Sequence, residues 1–331
     1  MYTGPIRAPE GYLFHATARF NLGDAPGAEA DLNRLIQIAP QSPLGYAKLG
    51  QLRTAQKHWT EAENFYKEAL KRAPDSLDAI RGLAQLDMDQ GKSEQALQFI
   101  QAQIHRNPNN APLYLLQGEA LLQNKKLADA EEALSHCTEM DRQNLAAFVL
   151  LGQVQSALGK PMAAVSSYQR AITLAPNNAQ LYTPLGTAYE AQGNWQQAET
   201  AYQKGLAIQP DNALAANNLA YLMLEHGGDI NVALTMARNA RRGLPNLPNS
   251  ADTLGWAYFE NGAYTLAAPL LDQAVKQAPQ NATYHFHLGM VYQKLKKIER
   301  ARAELERSLK LDLKAPFARK ASQALEELTG G

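Results

Sequence analysis

Prolines recur in this chain at a constant interval. Pro40, Pro74 and Pro108 stand 34 residues apart, as do Pro176 and Pro210, and again Pro245 and Pro279. The gap from Pro108 to Pro176 spans two such intervals, with Arg142 in the missing proline's place. The step from Pro210 to Pro245 holds one extra residue, which falls in "HGGD". Such a period means one small supersecondary unit, repeated, that cannot bury its own apolar face and must stack on its neighbours. Nine units start near residues 9, 43, 77, 111, 145, 179, 213, 248 and 282, and "APFARKASQALEEL" at 315–328 supplies a last helix.

Within a unit the residues describe a helix hairpin. Gly50, Gly152, Gly186, Gly255 and Gly289 on the first helix let two backbones approach closely. Ala62, Ala96, Ala130, Ala164, Ala198, Ala267 and Ala301 do the same on the second. Between the helices, "QGK", "LGK", "QGN" and "NGA" place glycine where a helix C-terminus requires a left-handed residue. The prolines close the second helix, because each lacks an N–H and disfavours helical backbone before it. Ser42, Ser76, Asn110, Asn144, Asn178, Asn212 and Asn281 then stand as N-caps of the next first helix. The eighth unit carries Leu247 in that slot, so its first helix is expected to start late, capped by Asn249 or Ser250.

This pattern resembles the tetratricopeptide repeat. The clearest match is "LYTPLGTAYEAQGNWQQAETAYQKGLAIQP", with Tyr182, Leu185, Gly186, Tyr189, Ala198, Tyr202 and Pro210 in the family's positions. The likeness runs over nearly the whole chain and is degenerate in the first and third units, where Ala16 and Ala84 replace glycine and Arg19 replaces tyrosine. It implies an all-α fold: an α-solenoid, wound as a right-handed superhelix, of about nine helix hairpins plus a C-terminal capping helix. With no linker in the array, residues 1–331 are expected to form a single domain. The resemblance also implies that the first helices line a concave groove holding a protein or peptide segment. The segment from "NNLAYLML" to "LAAPLL" is similar to the last repeats of bacterial proteins associated with envelope and exopolysaccharide export. That would imply a periplasmic scaffold if a signal sequence has been trimmed. The opening "MYTGPIRAPEG" lacks the layout of a secretory signal, so a cytoplasmic location is the default expectation.

Composition narrows the function classes. Lys plus Arg and Asp plus Glu are equal at 32 each, so no overall field draws the chain to nucleic acid or an anionic membrane. No apolar run reaches the roughly 18 residues of a membrane span. From Lys294 to Lys320 bases outnumber acids, which reads as the outer face of the cap or a contact for an acidic partner. The single cysteine, Cys137, stands where other units have alanine and reads as a packed side chain. No phosphate loop, nucleophile elbow or zinc-protease helix is present. His285 and His287, two apart on a helix, diverge and do not form a metal pair. The expectation is a non-enzymatic chain with no catalytic residues, no metal and no cofactor.

The tryptophans fall into two kinds. Trp59 and Trp195 open second helices and read as hairpin packing. Trp256 occupies a column that reads Gln51, Gln85, Glu119, Gln153 and Thr187, then Tyr221, Trp256 and Met290. Followed through the last three units, its stripe is Asn217, Tyr221 and Leu224, then Asp252, Trp256 and Phe259, then Phe286, Met290 and Gln293. Aromatic anchors with a few polar groups suit a peptide-binding groove. The alternatives are that the C-terminal helix folds over this patch, or that two copies pair there as a homo-oligomer. The basic clamp of chaperone-tail binders is absent, since its slots hold Leu13, Thr17, Lys48, Asp78 and Gly82. The asparagine ladder of the O-GlcNAc transferase superhelix is disfavoured too, because Asn218 is flanked by Pro184 and Thr253. Two functions remain. One is a scaffold binding a protein or peptide in its groove. The other is a regulatory or targeting array of a larger envelope or export machine, or of an enzyme whose catalytic domain lies elsewhere.

Overall fold

The computed structural model describes residues 8–329. Among these residues the chain is all helical, with nineteen α-helices, one 3₁₀ turn and no strand. It divides into two compact units, Met1–Gly159 and Lys160–Gly331.

The first unit holds α1 (Pro9–Asn21), α2 (Ala25–Ile38), α3 (Pro43–Ala55), α4 (Trp59–Arg72) and α5 (Leu77–Asp89). It continues with α6 (Ser93–Arg106), α7 (Ala111–Gln123), α8 (Leu127–Met140) and α9 (Leu145–Ala157). The second unit runs through α10 (Pro161–Leu174), α11 (Tyr182–Ala191), α12 (Trp195–Ile208), α13 (Ala213–His226) and α14 (Ile230–Gly243). It ends with α15 (Pro248–Glu260), α16 (Tyr264–Gln277), α17 (Ala282–Lys294), α18 (Ile298–Leu311) and α19 (Ala318–Thr329). Within each unit, helices next to each other in sequence pack as hairpins, and hairpins stack into an α-solenoid.

The packing follows from the small residues. The seven column alanines of the second helices are all 0% exposed. A Cβ added at Gly50 would lie 2.6 Å from Tyr66 Cδ1, at Gly118 2.6 Å from Leu134 Cγ, and at Gly255 2.6 Å from Leu271 Cγ. Each glycine therefore accepts one large side chain from its hairpin partner, and Tyr66 meets Gly82 of the next hairpin as well. Cys137 is buried, and burial pushes its thiol up to about 11. That makes it a packing residue rather than a thiolate.

The loops obey the expected chemistry with informative departures. Gly91, Gly193 and Gly262 adopt positive φ between the helices of a hairpin, and Gly159 does so between α9 and α10. Where glycine is missing, Lys57, Lys125 and Lys296 take the same left-handed backbone at φ 61, 58 and 57. A side chain in that region is strained by roughly 1–2 kcal/mol. Lys125→Gly is therefore expected to stabilise the first unit by about 1 kcal/mol, read as a raised urea midpoint with unchanged helicity.

Ser42, Asn144, Asn178, Asn212 and Asn281 accept backbone N–H bonds as caps, whereas Ser76 and Asn110 hold the position with no side-chain bond. The late start expected for α15 does not occur. It begins at Pro248, with Leu247 at the cap, because proline at the first helical position is already set in φ and has no N–H to satisfy. The Ser250 hydroxyl instead lies within hydrogen-bond reach of the carbonyls of Leu244, at 2.6 Å, and Leu247, at 2.8 Å. The extra residue near "HGGD" lengthens α13 to 14 residues, ended by left-handed Gly227. A 3₁₀ turn, Ala179–Leu181, precedes α11, since Pro184 cannot donate to the carbonyl four residues back. The final helix starts at Ala318, past Pro316, rather than at 315.

Candidate functional site

The first helices of the second unit's hairpins surround an open pocket of about 360 Å³. From α11 come Thr187 and Glu190; from α13, Asn217, Asn218 and Tyr221. Helix α15 gives Asn249, Asp252 and Thr253, and the start of α17 adds Asn281, Thr283 and Tyr284. No lysine, arginine or histidine is among these lining residues.

One wall is held by Tyr202 of α12, which is fully buried against Gly186. Its hydroxyl donates to Glu190 Oε2 at 2.8 Å, lies 3.2 Å from Thr187 Oγ1, and accepts from Asn218 Nδ2 at 3.5 Å. Burial raises the Glu190 carboxyl above the usual carboxylate range, against the opposing pull of the Tyr202 bond. On the other side, Asp252 Oδ1 lies 2.8 Å from His287 Nδ1, both residues buried. Burial pushes the phenol of Tyr284 up to about 12, with Asp252 adding to the shift. Tyr221 is raised further, by burial first and then by Glu225, Asp252 and Glu190. Asn217, only 3% exposed, has its Oδ1 buried without a hydrogen-bond partner, and Asn249 Oδ1 is in the same condition.

The stripe read from the sequence splits in two. Asn217, Tyr221 and Asp252 line the pocket. The aromatic half does not stand open: Trp256 is 6% exposed and Phe286 3%. Both pack with Leu305 of α18 and with Ala321 and Ala324 of α19, and Phe317 stacks on Phe286 at 4.7 Å between centroids. Leu224, Phe259 and Met290 are half-buried around the same cluster, and Gln293 Nε2 donates to Glu327 Oε2 of α19 at 2.8 Å. The C-terminal helix covers the patch, so Trp256 is a core residue and not an open anchor. Its ring stacks on His287 at 4.1 Å and on Phe259 at 4.5 Å.

The other tryptophans differ from each other as well. Trp59 packs half-buried beside the cluster around Tyr66, as expected. Trp195 is 39% exposed and corrects the hairpin-packing reading; it stacks on His226 at 4.2 Å. Standing first in α12, it has the turn below it on one side only.

Sequence reasoning missed Glu190, Thr283 and Tyr284, and it treated Asn249 and Asn281 only as caps. Asn281 is a cap, accepting from Thr283 N and Tyr284 N, while also lining the pocket. The available signal was the recurrence of asparagine in three successive units, at Asn217 and Asn218, at Asn249 and at Asn281. His285 lies 2.5 Å from Glu304 Oε2 and 3.1 Å from the Pro279 carbonyl, a satisfied buried histidine. Among the described residues no three His, Cys, Asp or Glu side chains gather as a metal site, and no helix is long and apolar enough to cross a membrane.

Tetratricopeptide-repeat models match residues 13–77, 53–120, 111–144, 149–213 and 183–245. The chain belongs to the tetratricopeptide-repeat family. A model of anaphase-promoting complex, cyclosome, subunit 3 matches this array over residues 226–308. The array is 30% identical over 116 residues to human protein O-mannosyl-transferase TMTC3, covering 34% of this chain and 13% of that protein. It is 30% identical over 138 residues to mouse interferon-induced protein with tetratricopeptide repeats 3, covering 38% and 34%. The transferase name thus belongs to a protein matched over a small part of its length. Among solved structures, the Cut9–Hcn1 hetero-tetramer of the APC/C aligns at TM-score 0.59 and 20% identity, over 97% of this chain and 62% of that one. A tetratricopeptide repeat protein from Parabacteroides merdae aligns at TM-score 0.56 and 16% identity, over 77% and 99%. At these identities the likeness shows the repeat fold.

Proposed function

We propose that this tetratricopeptide array is a non-enzymatic interaction scaffold, and that its second unit binds an extended peptide or protein segment across the pocket between α11, α13, α15 and α17. The carrying observation is the pair of buried amide oxygens, Asn217 Oδ1 and Asn249 Oδ1, that no group of the protein satisfies. A buried acceptor without a donor costs about 1–3 kcal/mol, which a ligand N–H recovers on binding. An extended peptide supplies N–H groups at regular spacing, and side-chain amides are suited to meet them.

The test separates binding from stability. Random twelve-residue peptides displayed against the whole chain should yield binders. Asn217→Ala should weaken the best of them about tenfold, the worth of one hydrogen bond to a buried acceptor. The same change should leave the melting temperature unchanged or raised, because it removes an unsatisfied group rather than a contact. Equal binding by wild type and variant would exclude the pocket as the site.

A further inference from the structure

We propose that the pocket of the second unit receives a cationic side chain, lysine or arginine, of the bound peptide. This inference rests on the peptide-binding reading above and adds the chemistry of the anchor.

The lining is polar, and its charged groups are both acidic. Glu190 and Asp252 face it from α11 and α15, and no cationic residue lines it. Each carboxylate is fixed through one oxygen, Glu190 by the Tyr202 hydroxyl at 2.8 Å and Asp252 by His287 at 2.8 Å. They are therefore held in place before any ligand arrives. Acidic clusters on helix surfaces are common and mean little alone. Here a second observation points the same way: Asn217, a side chain 3% exposed, and Asn249 both line this pocket, and the Oδ1 of each is buried without a donor.

A ligand that answers all of these groups brings positive charge and several N–H donors together. An ammonium carries three donors and a guanidinium five, with no acceptor to waste against the carboxylates. A peptide carboxylate or phosphate would be repelled, and a neutral backbone N–H would satisfy one acceptor and leave the charge unanswered. Tyr221 and Tyr284 add aromatic surface against which the aliphatic stem of such a side chain can lie. Burial of the carboxylates, Asp252 at 2% exposed and Glu190 half-buried, raises the value of the pairing, because the field is less screened than at an open surface.

The experiment uses the whole chain and the random twelve-residue peptide library. Enriched sequences should share one position dominated by lysine or arginine. A synthetic consensus peptide should lose at least about tenfold in affinity when that residue is replaced by norleucine, since a partly buried charge pair is being broken. Glu190→Gln should produce a comparable loss, while glutamine preserves the bond from Tyr202 and with it the fold, checked by circular dichroism. Affinity should also fall as salt rises. Enriched peptides without a preferred basic position, or a norleucine peptide that binds as well as its parent, would overturn the cationic anchor and leave peptide binding intact. Failure to enrich any peptide over bare matrix would overturn both. The norleucine arm needs no protein variant, so a misfolded Glu190→Gln or Asp252→Asn does not remove the test.

Discussion

Trp256→Ala is expected to cost about 3–5 kcal/mol of stability, the range for truncating a large buried aromatic. The indole lies between His287 and Phe259 and is roofed by the α19 alanines. Removing it empties the floor on which the last helix sits. Repeat arrays couple mainly to nearest neighbours, so the loss should appear as early unfolding of the segment from α15 to α19, with the first unit unaffected. Hydrogen exchange across the second unit in dilute urea would locate it. Trp195→Ala provides the contrast: its exposed ring makes one stack, on His226, and its loss should cost only about 1 kcal/mol. A Trp256→Ala protein as stable as wild type, with α19 still protected, would contradict the covered-patch description.

Gly186→Leu should be the most disruptive change near the start of the second unit. A Cβ alone at that position falls 2.7 Å from Cδ1 and Cζ of Tyr202, inside any real contact distance. The remaining leucine atoms have no space to enter, and the hairpin α11–α12 must open. The cost is about 1–3 kcal/mol for overpacking, and more where a rigid ring is the obstacle. The same ring anchors Glu190 and Asn218, so the variant should also lose peptide binding, unlike Lys125→Gly in the other unit. Thermal unfolding followed by circular dichroism, with binding measured below the transition, would show both effects. Wild-type stability would mean that the glycine column does not sit at a helix contact.

These two predictions also mark what the sequence could and could not disclose. The hairpins, the glycine and alanine columns and the left-handed glycines were legible because each is a local requirement repeated every 34 residues. A single helix boundary could be misjudged, as at α15, where Pro248 proved a better start than a polar cap. The left-handed lysines were hidden, since nothing in Lys57, Lys125 or Lys296 announces a strained backbone; the periodic alignment with the glycines was the only clue.

The fate of Trp256 was not legible for a different reason. Column reasoning treats every unit as having the same neighbours, and the end of an array breaks that symmetry. The residues that cover Trp256 are Ala321 and Ala324, outside the repeat, on a helix that replaces the next unit. An apolar column near the last repeat therefore marks where the cap docks, while the polar residues beside it line the pocket. Asn217, Tyr221 and Asp252 belonged to the expected stripe, but their partners Glu190, Asn249 and Tyr284 come from other columns and meet them only once helices α11, α13, α15 and α17 are assembled. Asn281 carried two roles, and the local one, capping, concealed the other.

The most direct measurement is a titration of the chain with the tightest peptide from the random library, followed through the side-chain amide signals of its asparagines by nuclear magnetic resonance. If the pocket of the second unit is the binding site, the amides of Asn217 and Asn249 shift and saturate with the peptide, with Asn218 following through Tyr202. Asn110 and Asn144, caps in the first unit, stay in place. Saturation of binding with Asn217 and Asn249 unmoved, and shifts gathered on another face, would contradict the account.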